Sequence, residues 1–245
     1  MRNIKTLIQY DGTVYHGWQR QANATSIQGI LETTLSRILQ ETVSLIGSGR
    51  TDGGVHALGQ VANFHTQKLL GCQQIMLALN SCLPKDIRIL QCEDVPIEFH
   101  SRFSALKREY KYVIYNDLVC SPFVRNYVHF IRQTIDIHKL KESLEMLVGE
   151  HDFRSLCSVG DESISKIRTV HDIEVDKVDR EIIVWIRANA FLRRMVRMIM
   201  GLVLEINLKD LATKEVERVL HLKCRESHNY PASPPQGLFL SRVWY

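Results

Sequence analysis

No stretch of the 245-residue chain approaches the ~20 apolar residues that a helix needs to cross a bilayer. Membrane-spanning helices are therefore not expected. A secretory leader is not expected either, because Asp11 falls where such a leader would need its apolar centre. The chain reads as a soluble, cytoplasmic protein. Its six cysteines, at positions 72, 82, 92, 120, 157 and 224, include no Cys-x-x-Cys pair. Reduced thiols in the core or at the surface are expected, with neither disulfides nor zinc. Nor do the histidines show the spacing of a metal site such as His-Glu-x-x-His, so they read as packed or surface imidazoles. A long basic tail is missing, and no internal repeat of fixed period is found.

What is present is the composition of an ordinary globular protein. At 45% hydrophobic residues the chain can bury a core, as one large domain or two smaller ones. The net charge of +4 and isoelectric point near 8.7 suit a polyanionic partner and equally a plain surface. The placement of the charges says more. Lys107 with Arg108, Arg125 with Arg132, Lys166 with Arg168, and Arg193 and Arg194 with Arg197 form small basic groups near aromatic residues. Such spacing suits a shaped, charged cleft, although each group taken alone also fits a solvated face.

Hydrophobic periodicity predicts alternating strands and helices. Residues 4–10 read as a first strand, and Ser26 as the cap of a helix whose Ile27, Ile30, Leu31, Leu35, Ile38 and Leu39 share one side. Strands are expected at 43–46, 60–66 and 87–93, with a helix at 72–81. Past residues 102–106 a second half is expected. It holds a strand at 109–115, a helix at 137–148, paired strands at 167–176 and 181–189, and helices at 191–205 and 214–221. An irregular stretch at 230–235 and a strand at 238–243 close the chain. The expected class is α+β, in two similar halves at 1–104 and 105–245.

The strongest chemical signal is Gly47-Ser48-Gly49-Arg50-Thr51-Asp52-Gly53-Gly54-Val55-His56-Ala57-Leu58-Gly59-Gln60, which joins two of the expected strands. Gly49, Gly53 and Gly54 can adopt positive φ, so the chain can bend sharply and another molecule's backbone can come close. Asp52 is thereby displayed. A free Asp has a pKa of about 3.9, and Arg50 would hold Asp52 ionised and oriented if the two side chains converge. An ionised, oriented carboxylate serves as base or nucleophile, and a plain Asp-Gly hairpin turn is the alternative.

Two further segments carry candidate groups. Strand alternation puts Tyr110 and Tyr112 on one face and Lys111 and Tyr115 on the other. A flat phenol ring can stack on a base and relay a proton, and such a strand also fits a core. In a helix starting at Phe191, steps of about 100° per residue would cluster Arg193, Arg194 and Arg197 on one arc. Gly201, one turn beyond Arg197, would let another strand or a ligand's backbone approach closely. An exposed helix face is the plain alternative.

The Asp52 run resembles the signature of the TruA family of tRNA pseudouridine synthases, in which an Arg-Thr-Asp-x-Gly-Val-His-Ala turn is followed by Gly-Gln-Val. Every one of those positions matches here. Further matches stand at Tyr10-Asp11-Gly12 with Gly17-Trp18-Gln19, and at Phe103-Ser104-Ala105 with Arg108-Glu109-Tyr110. Others are Phe191-Leu192 with Met195-Val196-Arg197, and Pro234-Pro235-Gln236-Gly237-Leu238. Together they span almost the full chain in the family's order. Tyr15 stands where Phe is more usual, and Ser101 where Ala is more usual.

The resemblance implies two α+β halves whose sheets join, with the active-site cleft along the seam. It implies an isomerase that converts uridine to pseudouridine at positions 38, 39 and 40 of the tRNA anticodon stem-loop. Asp52 would start the reaction, Tyr110 would be the active-site tyrosine, and Arg197 would pair with Asp52. Arg50, Arg193 and Arg194 would contact the substrate, with Tyr110 stacking on it. No metal or redox cofactor is required, and the partners would be tRNA and a second copy of the chain. Val203, Leu204 and Ile206 would be consistent with an apolar dimer patch without fixing one.

Two readings from other classes remain. A noncatalytic RNA-binding module would make the Asp52 turn structural. A hydrolase using paired carboxylates would employ Asp11 with Asp52, since both precede glycine, but Asp11 fits better as an organiser of the first turn.

Overall fold

A computed structural model describes every residue from Met1 to Tyr245. The chain divides into two compact units, Met1–Leu106 together with Phe239–Tyr245, and Lys107–Leu238. Residues 239–245, expected in the second half, therefore belong with the first unit.

The first unit runs β1 (Arg2–Tyr10), α1 (Ile27–Leu39), β2 (Ile46–Gly47), β3 (His56–Thr66), α2 (Cys72–Cys82) and β4 (Ile87–Val95), and receives the last strand, β10 (Leu238–Trp244). Its sheet has the order β4-β1-β3-β10, antiparallel throughout except for the parallel pairing of β10 with β3. Alternation along β1 buries Ile4, Thr6, Ile8 and Tyr10. Ser26 caps α1 by accepting from the Gly29 N–H at 3.3 Å, a contact typically worth about 1 kcal/mol. The expected strand at 43–46 shrinks to β2, which pairs with β3. The reason is local: Ser36 Oγ takes the Val43 N–H at 3.0 Å and buried Glu32 takes the Leu45 N–H at 2.9 Å.

The second unit runs β5 (Lys107–Asn116), β6 (His129–Ile131), α3 (Ile137–Glu145), β7 (Gly149–Asp152), β8 (Ile167–Val178), β9 (Glu181–Ala188), α4 (Met195–Leu208) and α5 (Glu215–Leu222). Its sheet has the order β5-β9-β8-β7, all antiparallel, with β6 added parallel to β5. Both units thus combine a sheet with helices, a mixed α and β architecture. None of the helices is long and apolar enough to cross a membrane.

The helix α4 is apolar nearly all round and is buried accordingly, against α3 and α5 among others. Val203, Leu204 and Ile206 are core residues of the single chain, so they form no outward apolar patch for a second copy. The approach expected at Gly201 is made by the chain itself. A Cβ there would lie 1.7 Å from the Pro231 carbonyl oxygen, because residues 231–233 lie directly on the helix.

Gly201→Ala forces a methyl into a backbone carbonyl that has no flexible end to move. The expected cost is about 2 kcal/mol or more, a fall in Tm of roughly 4–8 °C by thermal unfolding. An unchanged Tm would contradict the packing. His129 supplies a second test. Burial pushes its pKa down to about 4, and its Nδ1 is buried without a hydrogen-bond partner. The unfolded chain binds the proton more readily, so stability present at neutral pH is lost as pH falls from about 6.5 toward 4. His129→Gln is expected to flatten the urea-midpoint profile across that window.

Candidate active site

Asp52 lies in the turn between β2 and β3, half-buried, with Thr51 buried on one side and Gly53 exposed on the other. The loop that follows β1 holds the turn from below. The Trp18 N–H donates to the Thr51 carbonyl at 3.0 Å, and the Gly54 N–H to the Tyr15 carbonyl at 3.2 Å. Within the turn, the Val55 N–H returns to the Asp52 carbonyl at 3.2 Å. Contact between loop and turn is so close that a Cβ on Gly17 would sit 2.4 Å from the Thr51 carbonyl oxygen. One on Gly12 would sit 2.0 Å from that of Val55.

Of the three turn glycines, only Gly54 uses positive φ, at 77°. Gly49 and Gly53 do not, and a Cβ on either would meet nothing closer than 3.5 Å. Their role is openness at the surface. Gly17, with φ of 91°, is the glycine whose conformation and space are both required. Arg50 is exposed at the turn. Asp11 orders the first turn, accepting from the Thr13 N–H at 3.0 Å and from its hydroxyl at 2.6 Å.

In the second unit Tyr110 is buried on β5, its ring edge-on to Phe191 at 5.0 Å. Arg197 is half-buried on α4, and its Nε donates to the Ser233 carbonyl at 2.8 Å while the Ser233 N–H returns to the Arg197 carbonyl at 2.8 Å. That pair fixes the plane of the guanidinium. Arg193 and Arg194 are exposed, but they do not share a helical arc with Arg197. The helix begins at Met195, and Arg194 takes a left-handed conformation with φ of 63°. Arg194 lines an open cavity of ≈ 460 Å³ with Ser158, Met198 and Arg225.

What delays the helix is Asp161. Its carboxylate accepts from the Arg193 N–H at 2.7 Å, the Ser163 N–H at 2.9 Å and the Lys166 ammonium at 2.6 Å. The Ser158 N–H donates in turn to the Arg193 carbonyl at 2.9 Å. Burial alone would raise the Asp161 pKa, but the Lys166 cation and the N–H donors outweigh it and hold the group well below the ordinary carboxylate range. Lys166, expected as part of a basic group for a polyanion, is therefore spent on this carboxylate. Periodicity assigns no role to Asp161, because the Arg193 N–H that it holds lies 32 residues away.

The two departures from the family pattern find partners. Tyr15 donates its hydroxyl to Asp86 at 2.6 Å, and buried Ser101 donates to Asn63 Oδ1 at 2.8 Å. No three His, Cys, Asp or Glu side chains come together in a way that would hold a metal ion.

Comparison with known proteins adds an independent finding. A family model described as tRNA pseudouridine synthase matches residues 7–104 and 143–245. The chain is 42% identical over 245 residues to tRNA pseudouridine synthase A of Thermoanaerobacter sp. strain X514, covering 100% of both chains. It is 40% identical over 245 residues to tRNA pseudouridine synthase A of Caldicellulosiruptor saccharolyticus, again over 100% of each. For the Brachyspira hyodysenteriae protein of the same name the identity is 39%, over 100% of this chain and 99% of that one. Among solved structures, a chain of a Cbf5-Nop10-Gar1 complex is similar at a TM-score of 0.39 and 11% identity, over 82% of this chain and 54% of that one.

Removing the Asp161 carboxylate takes a partner from one half-buried cation and two N–H groups at once. Asp161→Ala is expected to cost about 3 kcal/mol and to speed amide exchange across 158–166 and 191–195. Exchange at wild-type rates there would contradict the assigned node.

Proposed function

Because the chain belongs to the tRNA pseudouridine synthase family, we propose that it isomerises uridine to pseudouridine at positions 38, 39 and 40 of the tRNA anticodon stem-loop, with Asp52 as the reacting carboxylate. The observation that carries this reading is the Asp52 turn, matched to the family signature at each position and braced by the loop after β1. The chemistry follows from what the product requires. Uridine is joined to its ribose through N1, and pseudouridine through C5. The N1–C1′ bond must break, the uracil must rotate, and C5 must bond to C1′ before its proton leaves.

A stacked base cannot do this, so the nucleotide must first leave the stack, at a cost of a few kcal/mol. Phosphate contacts from exposed Arg193 and Arg194 and stacking on Tyr110 offset that cost. Arg50, exposed at the turn, fills the place of the flipped base or contacts its phosphate. Asp52 then acts in one of two ways. It attacks C1′ to form a sugar ester as uracil departs, or it removes a ribose proton to give a glycal. Both routes return the carboxylate unchanged, and the isomerisation is redox-neutral.

Arg197 serves in this reading as the partner that keeps Asp52 ionised and aimed, a task for which a planar guanidinium fork is better suited than an ammonium. Tyr110 stacks on the uracil and presents its hydroxyl to the moving proton. Serving three neighbouring uridines favours reading of tRNA shape and backbone over base edges. A homodimer with the tRNA lying across both subunits, working in the cytoplasm, completes the proposal.

Loss of the C5 proton gives the direct assay. Purified protein is expected to release tritium from tRNA carrying 5-tritiated uridine, with pseudouridine mapping to positions 38–40. No release would favour the noncatalytic RNA-binding module. Arg197→Ala is expected to slow release about 100-fold, the scale of a misplaced catalytic group, and unchanged turnover would refute its role.

A further inference from the structure

Four polar side chains lie buried beneath the Asp52 turn, and the reaction as described gives none of them a task. Gln60 is 0% exposed, Ser48 1%, Tyr10 4% and Thr51 7%. Polar groups at that depth lose their water and must find partners within the protein. All four do. Ser48 Oγ donates to Gln60 Oε1 at 2.7 Å, which also accepts from the Val61 N–H at 3.1 Å. The Gln60 amide nitrogen donates to the Gly49 carbonyl at 2.9 Å. Tyr10 and Thr51 join their hydroxyls at 2.7 Å.

A pairing irregularity lies beside this cluster: Ile8 lies opposite Gln60 but Tyr10 opposite Ala57, so β3 carries one more residue than β1 between these pairs.

Thr51 is thus held twice, at its carbonyl by the Trp18 N–H and at its hydroxyl by Tyr10. It is also the residue before Asp52, so a rotation of its ψ would swing the carboxylate bodily. We propose that Tyr10 and Thr51 are positioning residues for Asp52, their paired hydroxyls fixing the turn in the orientation that aims the carboxylate. This rests on the reading of Asp52 as the reacting group. The network touches no substrate. It acts by denying the turn alternative conformations.

The test uses the full-length protein on tRNA under single-turnover conditions with enzyme in excess, so that the rate constant does not depend on the folded fraction. Thr51→Val keeps the shape and removes the hydroxyl, Thr51→Ser keeps the hydroxyl, and Tyr10→Phe removes the partner. The valine and phenylalanine variants are expected to slow the rate constant about tenfold, equivalent to about 1.4 kcal/mol, with tRNA affinity within about twofold of wild type. Thr51→Ser is expected to recover the rate to within about threefold, and the Tyr10→Phe/Thr51→Val double variant to be no slower than either single one. A Thr51→Val rate within about twofold of wild type, or a Thr51→Ser rate as slow as Thr51→Val, would overturn the proposal. Asp52→Asn is the reference. If it is inactive while Thr51→Val is unimpaired, only the hydroxyl role falls, whereas an active Asp52→Asn removes the site on which that role depends.

Discussion

A hydroxyl taken out of water must be bonded again inside the protein, and in the first unit that requirement falls on the phenol of Tyr10. Burial pushes its pKa up and keeps it protonated, so it carries one proton that needs an acceptor. The Thr51 hydroxyl is its hydrogen-bond partner, and Asp52 follows Thr51 directly in the chain. Ser48 and Gln60 tie the leading end of the turn to β3. The carboxylate therefore stands on a polar foundation that leaves its members few alternatives, while Gly49 and Gly53 keep the surface above it open.

The second unit solves a similar problem with charge. Asp161 gathers two backbone N–H groups and the Lys166 ammonium, and so decides where α4 can begin. With the start fixed at Met195, Arg197 falls in the first turn, where the backbone of Ser233 grips it. Phe191, in the extended approach to the helix, meets the edge of Tyr110. One carboxylate thereby sets the placement of an arginine and an aromatic contact that otherwise belong to separate elements.

Much of this was legible in the residues. The alternation of β1, the Ser26 cap and the apolar side of α1 are local properties, and local patterns read them well. The Asp52 turn was legible because glycines, a cation and a carboxylate are concentrated in a few positions between strands. The start of α4 was not, because the helical pattern from Phe191 is broken by a group from a distant loop. The strands β6 and β7 are three and four residues long, too short to show a period. Val203, Leu204 and Ile206 read as a patch only while their neighbours were unknown; a helix apolar on every side belongs in a core. Tyr10 and Thr51 were visible within matched motifs, yet their contact joins segments 41 residues apart, which no single segment contains.

In the proposed reaction one carboxylate does the chemistry that its neighbours only prepare. The most direct test is the rate of pseudouridine formation by Asp52→Asn at enzyme concentrations that saturate the tRNA. The variant is expected to bind tRNA with near-normal affinity and to form no product within the time of many wild-type turnovers. Product formed at the wild-type rate by bound, folded Asp52→Asn would contradict it.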